Sequence, residues 1–323
     1  MKKRMSIVMS AILGLTLMAG CSSSSAKEDI TIAFLPNEDS AQRSEEAFDM
    51  LKEEVQAALG DAYNVKIAVL DDYSAVTEAM LSGTAQIAWE SGGTFATTYL
   101  KNDKVLPILS YGPNGDPEQS GYRAYIATNA KNKGDFEGKS REEKLAQLKG
   151  KSFSFVSATS TSGCMVPTQS LWGIFGDEGS KDVSDKEQIN VKNADNGGLF
   201  SDVQYGGNHP GSVTLIVQDK VYAGAYCCNY AEGYEDDLYV IDEQFVPNGP
   251  MWVNTEVLGE ENVKKLTQHF TGLTSETAIN KDFFSKDKGF FFEAEDDTTN
   301  YKFFQTDVDR YQFIIEMAKD QQK

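Results

Sequence analysis

Apolar positions along this chain switch between the near-continuous runs of a buried strand and the three- and four-residue steps of a helix face, and the switches mark its elements. Residues 29–35, Asp-Ile-Thr-Ile-Ala-Phe-Leu, predict a strand, and a polar turn follows over 37–40. Phe48, Leu51, Val55 and Leu59 then recur on one face and predict a helix over 41–59. Residues 65–70 predict a second strand, 73–82 a helix stopping near Gly83, and 86–89 a short strand. A glycine turn leads into a helix ending at Leu100, and 105–111 return as a strand. Strands alternating with helices in this order predict an open α/β sheet with helices on both faces.

A second series follows. Residues 122–128 are extended, and the charged stretch from there to Leu148 reads as loop. Residues 154–156 predict a strand, 165–175 a helix, 181–196 a polar stretch, 201–205 a strand, 213–218 a helix and 222–227 a strand. Residues 238–241 are extended, and Phe245-Val-Pro-Asn-Gly-Pro250 reads as a crossover. Helices over 254–270 and 306–317 flank an aromatic-rich, acidic segment. The expected fold class is α/β, with two open sheets in two lobes joined by two hinge crossings. Residues 29–124 with 248–323 would form the first lobe and 125–247 the second. Open α/β sheets bind at the carboxyl ends of their strands, so the cleft between the lobes is the expected site.

The N-terminus changes the picture of where this fold sits. Lys2, Lys3 and Arg4 precede an apolar run over 7–18 that is too short for a stable transmembrane helix. Met18-Ala19-Gly20-Cys21 resembles the lipobox of bacterial lipoproteins, with Leu17 just before the leucine position that Met18 fills. The expectation is a signal segment over 1–20, lipidation at Cys21 and a flexible serine tether over 21–28. An ordinary cleaved signal with a chance cysteine is the alternative. Either way the mature chain is exported, and the lipid places it on the extracytoplasmic face of the membrane. Cleavage would leave 303 of the 323 residues and, with three cations gone, move the formal charge from −19 to −22. Such a charge repels nucleic acid and anionic surfaces, so neither is an expected partner. Cys164, Cys227 and Cys228 read as small hydrophobes, since neighbouring cysteines rarely bridge. With two histidines and no Cys-His cluster, neither a metal site nor a cofactor is expected.

The densest candidate chemistry is Ser157-Ala-Thr-Ser-Thr-Ser-Gly163, between the strand of alternating aromatic and small residues and the helix after it. A strand-loop-helix junction gathers free N–H groups and the positive end of a helix dipole at one point. Ser160, Thr161 and Ser162 would add hydroxyl donors, and Gly163 would allow close backbone approach. That chemistry suits a tetrahedral oxyanion. Serine and threonine also cap most helices, and capping alone is the plainer reading of the same residues.

Four segments together resemble the phosphonate- and phosphite-binding proteins that serve ABC transporters. They are Asp72-Tyr-Ser-Ala-Val-Thr-Glu-Ala-Met80, Ser120-Gly-Tyr-Arg-Ala-Tyr-Ile126, Ser154 through Gly163, and Gly206-Gly-Asn-His-Pro-Gly-Ser212. The resemblance implies a two-lobed periplasmic-binding-protein type II fold and capture of a small phosphorus oxyanion for a membrane permease, the chain acting as a monomer without catalysis. It implies that Ser160, Thr161 and Ser162 hold the oxyanion, that His209 adds a donor, and that Tyr73 and Tyr122 close over it through their phenols. Relatives that bind aminoalkyl phosphonates carry carboxylates where this chain has Asn229, with Glu232 close behind, and Asn248-Gly249. A buried ammonium without a carboxylate is strongly disfavoured. Asn229 therefore points to a ligand without a primary amine, such as phosphate, phosphite or methylphosphonate. The competing readings are a sensor with the same site and a surface phosphoesterase, the latter short of a Gly-x-Ser-x-Gly elbow and of metal ligands.

Overall fold

The structure, a computed structural model, describes residues 27–35, 41–286, 288–291 and 297–321, without the side chains of 41–44 and 228–229. The expected signal segment, Cys21 and the serines of the tether lie outside the described residues. Strands β1 (Glu28–Phe34), β2 (Tyr63–Val69), β3 (Ile87–Trp89) and β4 (Val105–Pro113) alternate with helices α1 (Ala41–Leu59), α2 (Tyr73–Ser82) and α3 (Gly92–Lys101). The chain then crosses through residues 114–120 to β5 (Gly121–Asn129), α4 (Arg141–Ala146), β6 (Ser152–Phe155) and α5 (Val166–Phe175). Helix α6 (Glu187–Asn190), β7 (Asp202–Tyr205), α7 (His209–Val217), β8 (Ala223–Cys227) and β9 (Leu238–Pro247) follow. Residues 248–250 lead back to β10 (Met251–Asn254), α8 (Thr255–Leu258), α9 (Glu260–Thr271), β11 (Tyr301–Gln305) and α10 (Gln312–Asp320). No helix among the described residues is long and apolar enough to cross a membrane.

Two sheets result, ordered β11-β4-β10-β3-β1-β2 and β7-β6-β8-β5-β9. In the first, β1 runs parallel to β2 and β3, while β10 is antiparallel between β3 and β4. In the second, β6 is parallel to β7 and β8. The carboxyl ends of these parallel strands carry the loops that matter below. Side-chain alternation explains the two-sided burial. Ile30, Ile32 and Phe34 of β1 enter one core, with Val55 and Phe270, while Ala33 faces another with Val76, Phe95 and Trp252. In β6, Phe153 and Phe155 join Phe200 and Leu171 in the second-lobe core, whereas Ser154 faces α7 and contacts Ser212. Each of these large apolar side chains contributes about 1.5–3 kcal/mol on burial.

Several elements differ from the periodicity. The charged stretch before Leu148 contains α4, started by a capping box in which Ser140 and Glu143 satisfy each other's backbone N–H. Helix α7 begins at His209, not 213, because the Asn208 side chain accepts from Gly211 N–H and caps a first turn that includes Pro210. The helix expected over 254–270 breaks at Gly259, whose φ of 80° needs no side chain. Strand β9 runs on through Pro247, which shortens the crossover to residues 248–250, and β10 and β11 complete the first sheet.

The two crossings lie side by side. Gly121 of β5 pairs with Pro247 of β9, and an added Cβ at Gly121 would stand 2.3 Å from the Phe245 ring. Arg310 donates to the carbonyls of Pro117 and Ser120, while the Asn248 amide donates to the Tyr111 carbonyl at 3.0 Å. Tyr311 donates to the Asn248 carbonyl at 2.9 Å, and burial pushes that phenol up to about 12. Strand β5 lies wholly in the second sheet, so the sheets divide between Pro113 and Gly121, ahead of the boundary expected at 124.

Candidate functional site

The hydroxyl loop leaves β6 and turns back on it. Val156 N–H donates to the Gly163 carbonyl at 3.0 Å, and a Cβ at Gly163 would lie 2.4 Å from the Val156 Cβ. The glycine is thus required for packing against the strand end, rather than for approach by a ligand. Residues Thr161–Met165 form a single π turn that runs into α5. Such turns are uncommon and concentrate at functional sites. Ser160, Thr161 and Ser162 are all buried.

Capping and ligand binding turn out to be compatible here. Ser160 Oγ accepts from Gly163 N–H at 3.1 Å, the helix-cap bond of the plainer reading. An accepting hydroxyl still has its own O–H to donate. Thr161 Oγ1 accepts from the Gly93 N–H at 2.7 Å, in a buried bond between residues 68 apart. Ser162 Oγ accepts from the Tyr122 hydroxyl at 3.4 Å. Two of the three hydroxyls therefore bond to neighbours outside their own loop, and each keeps a hydrogen that can turn towards an anion.

The Gly93 bond makes this junction a meeting of the two lobes. Gly93 lies in the first turn of α3, and Cβ atoms added at Gly93 and Gly92 would stand 2.2 Å from Thr159 O and 2.7 Å from Ile314 Cδ1. The helix can approach the loop this closely only because Gly93 lacks a side chain, while Gly92 makes room for Ile314 of α10. Met165, from the second lobe, is buried in the first-lobe cluster with Phe95, Tyr311 and Ile314. Lys186 donates to Asp320 at 2.8 Å across the same boundary.

The remaining expected residues fall around this junction. Gly206 and Gly207 N–H groups donate to the carbonyls of Phe155 and Val156, which ties the β7–α7 loop to the start of the hydroxyl loop. His209 follows as the first residue of α7, buried, with its ring stacked on Tyr230 at 5.1 Å and 7° and its Nε2 3.5 Å from Cys227 Sγ. Tyr73 is the buried first residue of α2, behind an Asp72 cap at the carboxyl end of β2. Tyr122 on β5 is half-buried. Asn229 lies in a turn after β8, and its side chain is outside the described residues. Asn248 is a brace, its amide committed to the Tyr111 carbonyl. Cys164, within the π turn, is fully buried, and burial pushes its thiol up to about 11, which fits a small hydrophobe rather than a reactive group.

Two residues that the periodicity did not single out belong to this junction, Glu90 and Gly93. Their signal was the run Trp89-Glu-Ser-Gly-Gly-Thr94, a strand-loop-helix junction like the hydroxyl loop but shorter. Glu90 accepts from Ser91 N–H at 2.7 Å and from the Thr94 hydroxyl at 3.3 Å.

A family profile described as the ABC transporter, phosphonate, periplasmic substrate-binding protein matches residues 32–298. Among solved structures, a binding protein component of an ABC phosphonate transporter from Pseudomonas aeruginosa superposes with a TM-score of 0.64 at 18% identity, over 92% of this chain and 87% of that one. PhnD1 from Prochlorococcus marinus, in complex with methylphosphonate, gives 0.64 at 16% identity, over 90% and 97%. A Xanthomonas citri protein bound to ATP gives 0.62 at 14% identity, over 92% and 98%. No curated protein matches the chain. At these identities the structural likeness concerns the fold: the expected type II arrangement of two open α/β sheets joined by two crossings is the one observed.

Proposed function

The chain belongs to the periplasmic substrate-binding proteins of phosphonate ABC transporters, and from that premise we propose that its cleft captures a small phosphorus oxyanion at the Ser160–Ser162 loop. Solute capture for ABC-type import is the function of the family, and its partner is the transporter's permease. The observation that carries the site assignment is the buried hydroxyl triplet at the lobe junction, with Thr161 bonded to Gly93 of the opposite lobe. Closure then joins the anion-holding loop to α3, so ligand contacts and lobe contacts reinforce each other. Ser160, Thr161 and Ser162 donate to the oxyanion, His209 and Tyr122 add donors from α7 and β5, and Tyr73 closes from α2. Hydroxyls and helix N-termini supply a local positive field within a chain of formal charge −19.

The ligand in this reading is phosphate, phosphite or a small phosphonate without a primary amine. Asn248 is committed to the Tyr111 carbonyl and offers an ammonium no carboxylate. Calorimetric titration with phosphate, phosphite, methylphosphonate and 2-aminoethylphosphonate tests the proposal. Tight binding of the first three is expected, and binding of 2-aminoethylphosphonate alone would sink it. The protein works as a monomer tethered through a lipid on Cys21. Radiolabelled fatty acid should enter the wild-type chain and not Cys21→Ser, and equal labelling would refute the anchor.

A further inference from the structure

The turn that opens α3 carries a charge opposed to the chemistry of the cleft. The Glu90 carboxylate accepts from Ser91 N–H and the Thr94 hydroxyl. It therefore sits across the first turn of α3, where the helix's own positive end would otherwise attract a ligand anion. On the same turn, Gly93 N–H is bonded to Thr161 Oγ1 at 2.7 Å. From a third side, a Cβ at Gly249 of the second crossing would lie 2.2 Å from the Glu90 carbonyl. Glu90 is half-buried, its carboxylate bonded to the first turn of α3 and its backbone carbonyl packed against Gly249 of the hinge.

A carboxylate accepts hydrogen bonds and donates none. Beside an oxyanion site it favours a ligand that still carries a proton on oxygen and opposes one that has lost it. We propose that Glu90 is a specificity-determining residue of the cleft, admitting phosphorus oxyanions that bear a P–OH and rejecting unprotonated ones such as sulfate. The inference rests on the oxyanion reading above. Near a carboxylate, each extra ligand charge costs on the order of tenfold in affinity after screening.

Methylphosphonate is the sharpest probe, because its second ionisation, in the neutral range, removes its only P–OH. The titratable groups around this turn leave that window open. Burial holds Cys164 and Tyr311 up at about 11 and about 12. Tyr73 opens α2, and Tyr111 carries the carbonyl that Asn248 braces. Glu316 and Lys319 of α10 are exposed and paired with each other. His209 is unchanged in every variant compared.

The experiment is calorimetric titration of the full chain with methylphosphonate across the neutral range, and with sulfate, for wild type, Glu90→Gln and Glu90→Asp. Gln keeps an acceptor oxygen for Ser91 and Thr94 and removes only the charge. Wild-type affinity for methylphosphonate should fall by on the order of tenfold as its second proton leaves. Glu90→Gln should flatten that fall and gain on the order of tenfold towards sulfate, while Glu90→Asp keeps the wild-type trend in weaker form. Identical profiles and identical sulfate rejection in wild type and Glu90→Gln would overturn the inference and leave the oxyanion site standing. Loss of 2-aminoethylphosphonate binding in Glu90→Gln, with the methylphosphonate profile unchanged, would overturn it in favour of an ammonium-binding carboxylate. If no variant, wild type included, binds any phosphorus oxyanion, the reading of the cleft falls and the inference with it. Should Glu90→Gln lose its melting transition, the Glu90→Asp profile decides: one indistinguishable from wild type at every pH would overturn the role of the charge's position.

Discussion

The two lobes meet through strand-loop-helix junctions that are built alike and finished differently. In the second lobe, β6 leads into the π turn before α5, and the cap is a neutral hydroxyl, Ser160. In the first lobe, β3 leads into α3, and the Ser91 hydroxyl cap is overlaid by the Glu90 carboxylate. A neutral cap satisfies one N–H and leaves the helix field available to a visiting anion, whereas an acidic cap neutralises that field from within. In the proposed reading, two junctions of the same architecture take different parts, the second-lobe one attracting charge and the first-lobe one limiting how much charge is accepted.

The largest expected effect separates the two directly. A paired Ser160→Ala, Thr161→Ala variant removes two hydroxyl donors to a charged ligand and should weaken oxyanion binding by about 3 kcal/mol, on the order of a hundredfold in Kd. Titration showing wild-type affinity would take the second-lobe junction out of the site. Gly163→Ala comes next. Its Cβ would meet Val156 at 2.4 Å, and the overpacking should cost about 2 kcal/mol, read as a lower melting temperature. An unchanged melting temperature would mean that the loop can shift and is not locked to β6. Ser91→Ala is the smallest. Losing this cap should cost about 1 kcal/mol of stability and leave oxyanion affinity within about threefold of wild type. A loss of binding as large as that of the Ser160–Thr161 pair would erase the distinction between the junctions.

Much of this was readable along the chain. The rhythm from β1 to β4, the alternation of Phe153, Ser154 and Phe155, and the hydroxyl run 160–162 are local patterns set by steps of two or three to four residues. Cap chemistry was readable in kind but not always in place, as His209 shows: the Asn208 cap and Pro210 start α7 four residues before its apolar face begins. Strands β10 and β11 were missed because each is only 4 or 5 residues long and pairs with β3 or β4 across a long stretch of chain. Short runs of that kind become strands only when a sheet edge is waiting for them.

Sequence alone determined the two α/β series, the hydroxyl-rich junction and the chemistry it suits, since periodicity and donor types are properties of neighbouring residues. Only the tertiary structure decided that Gly93 donates to Thr161 and that Asn248 braces the hinge. Those relations join residues 68 and 137 positions apart. They arise because burial of the two cores and the lobe boundary brings distant backbone together, and a buried N–H or C=O must then find whatever partner that packing places beside it.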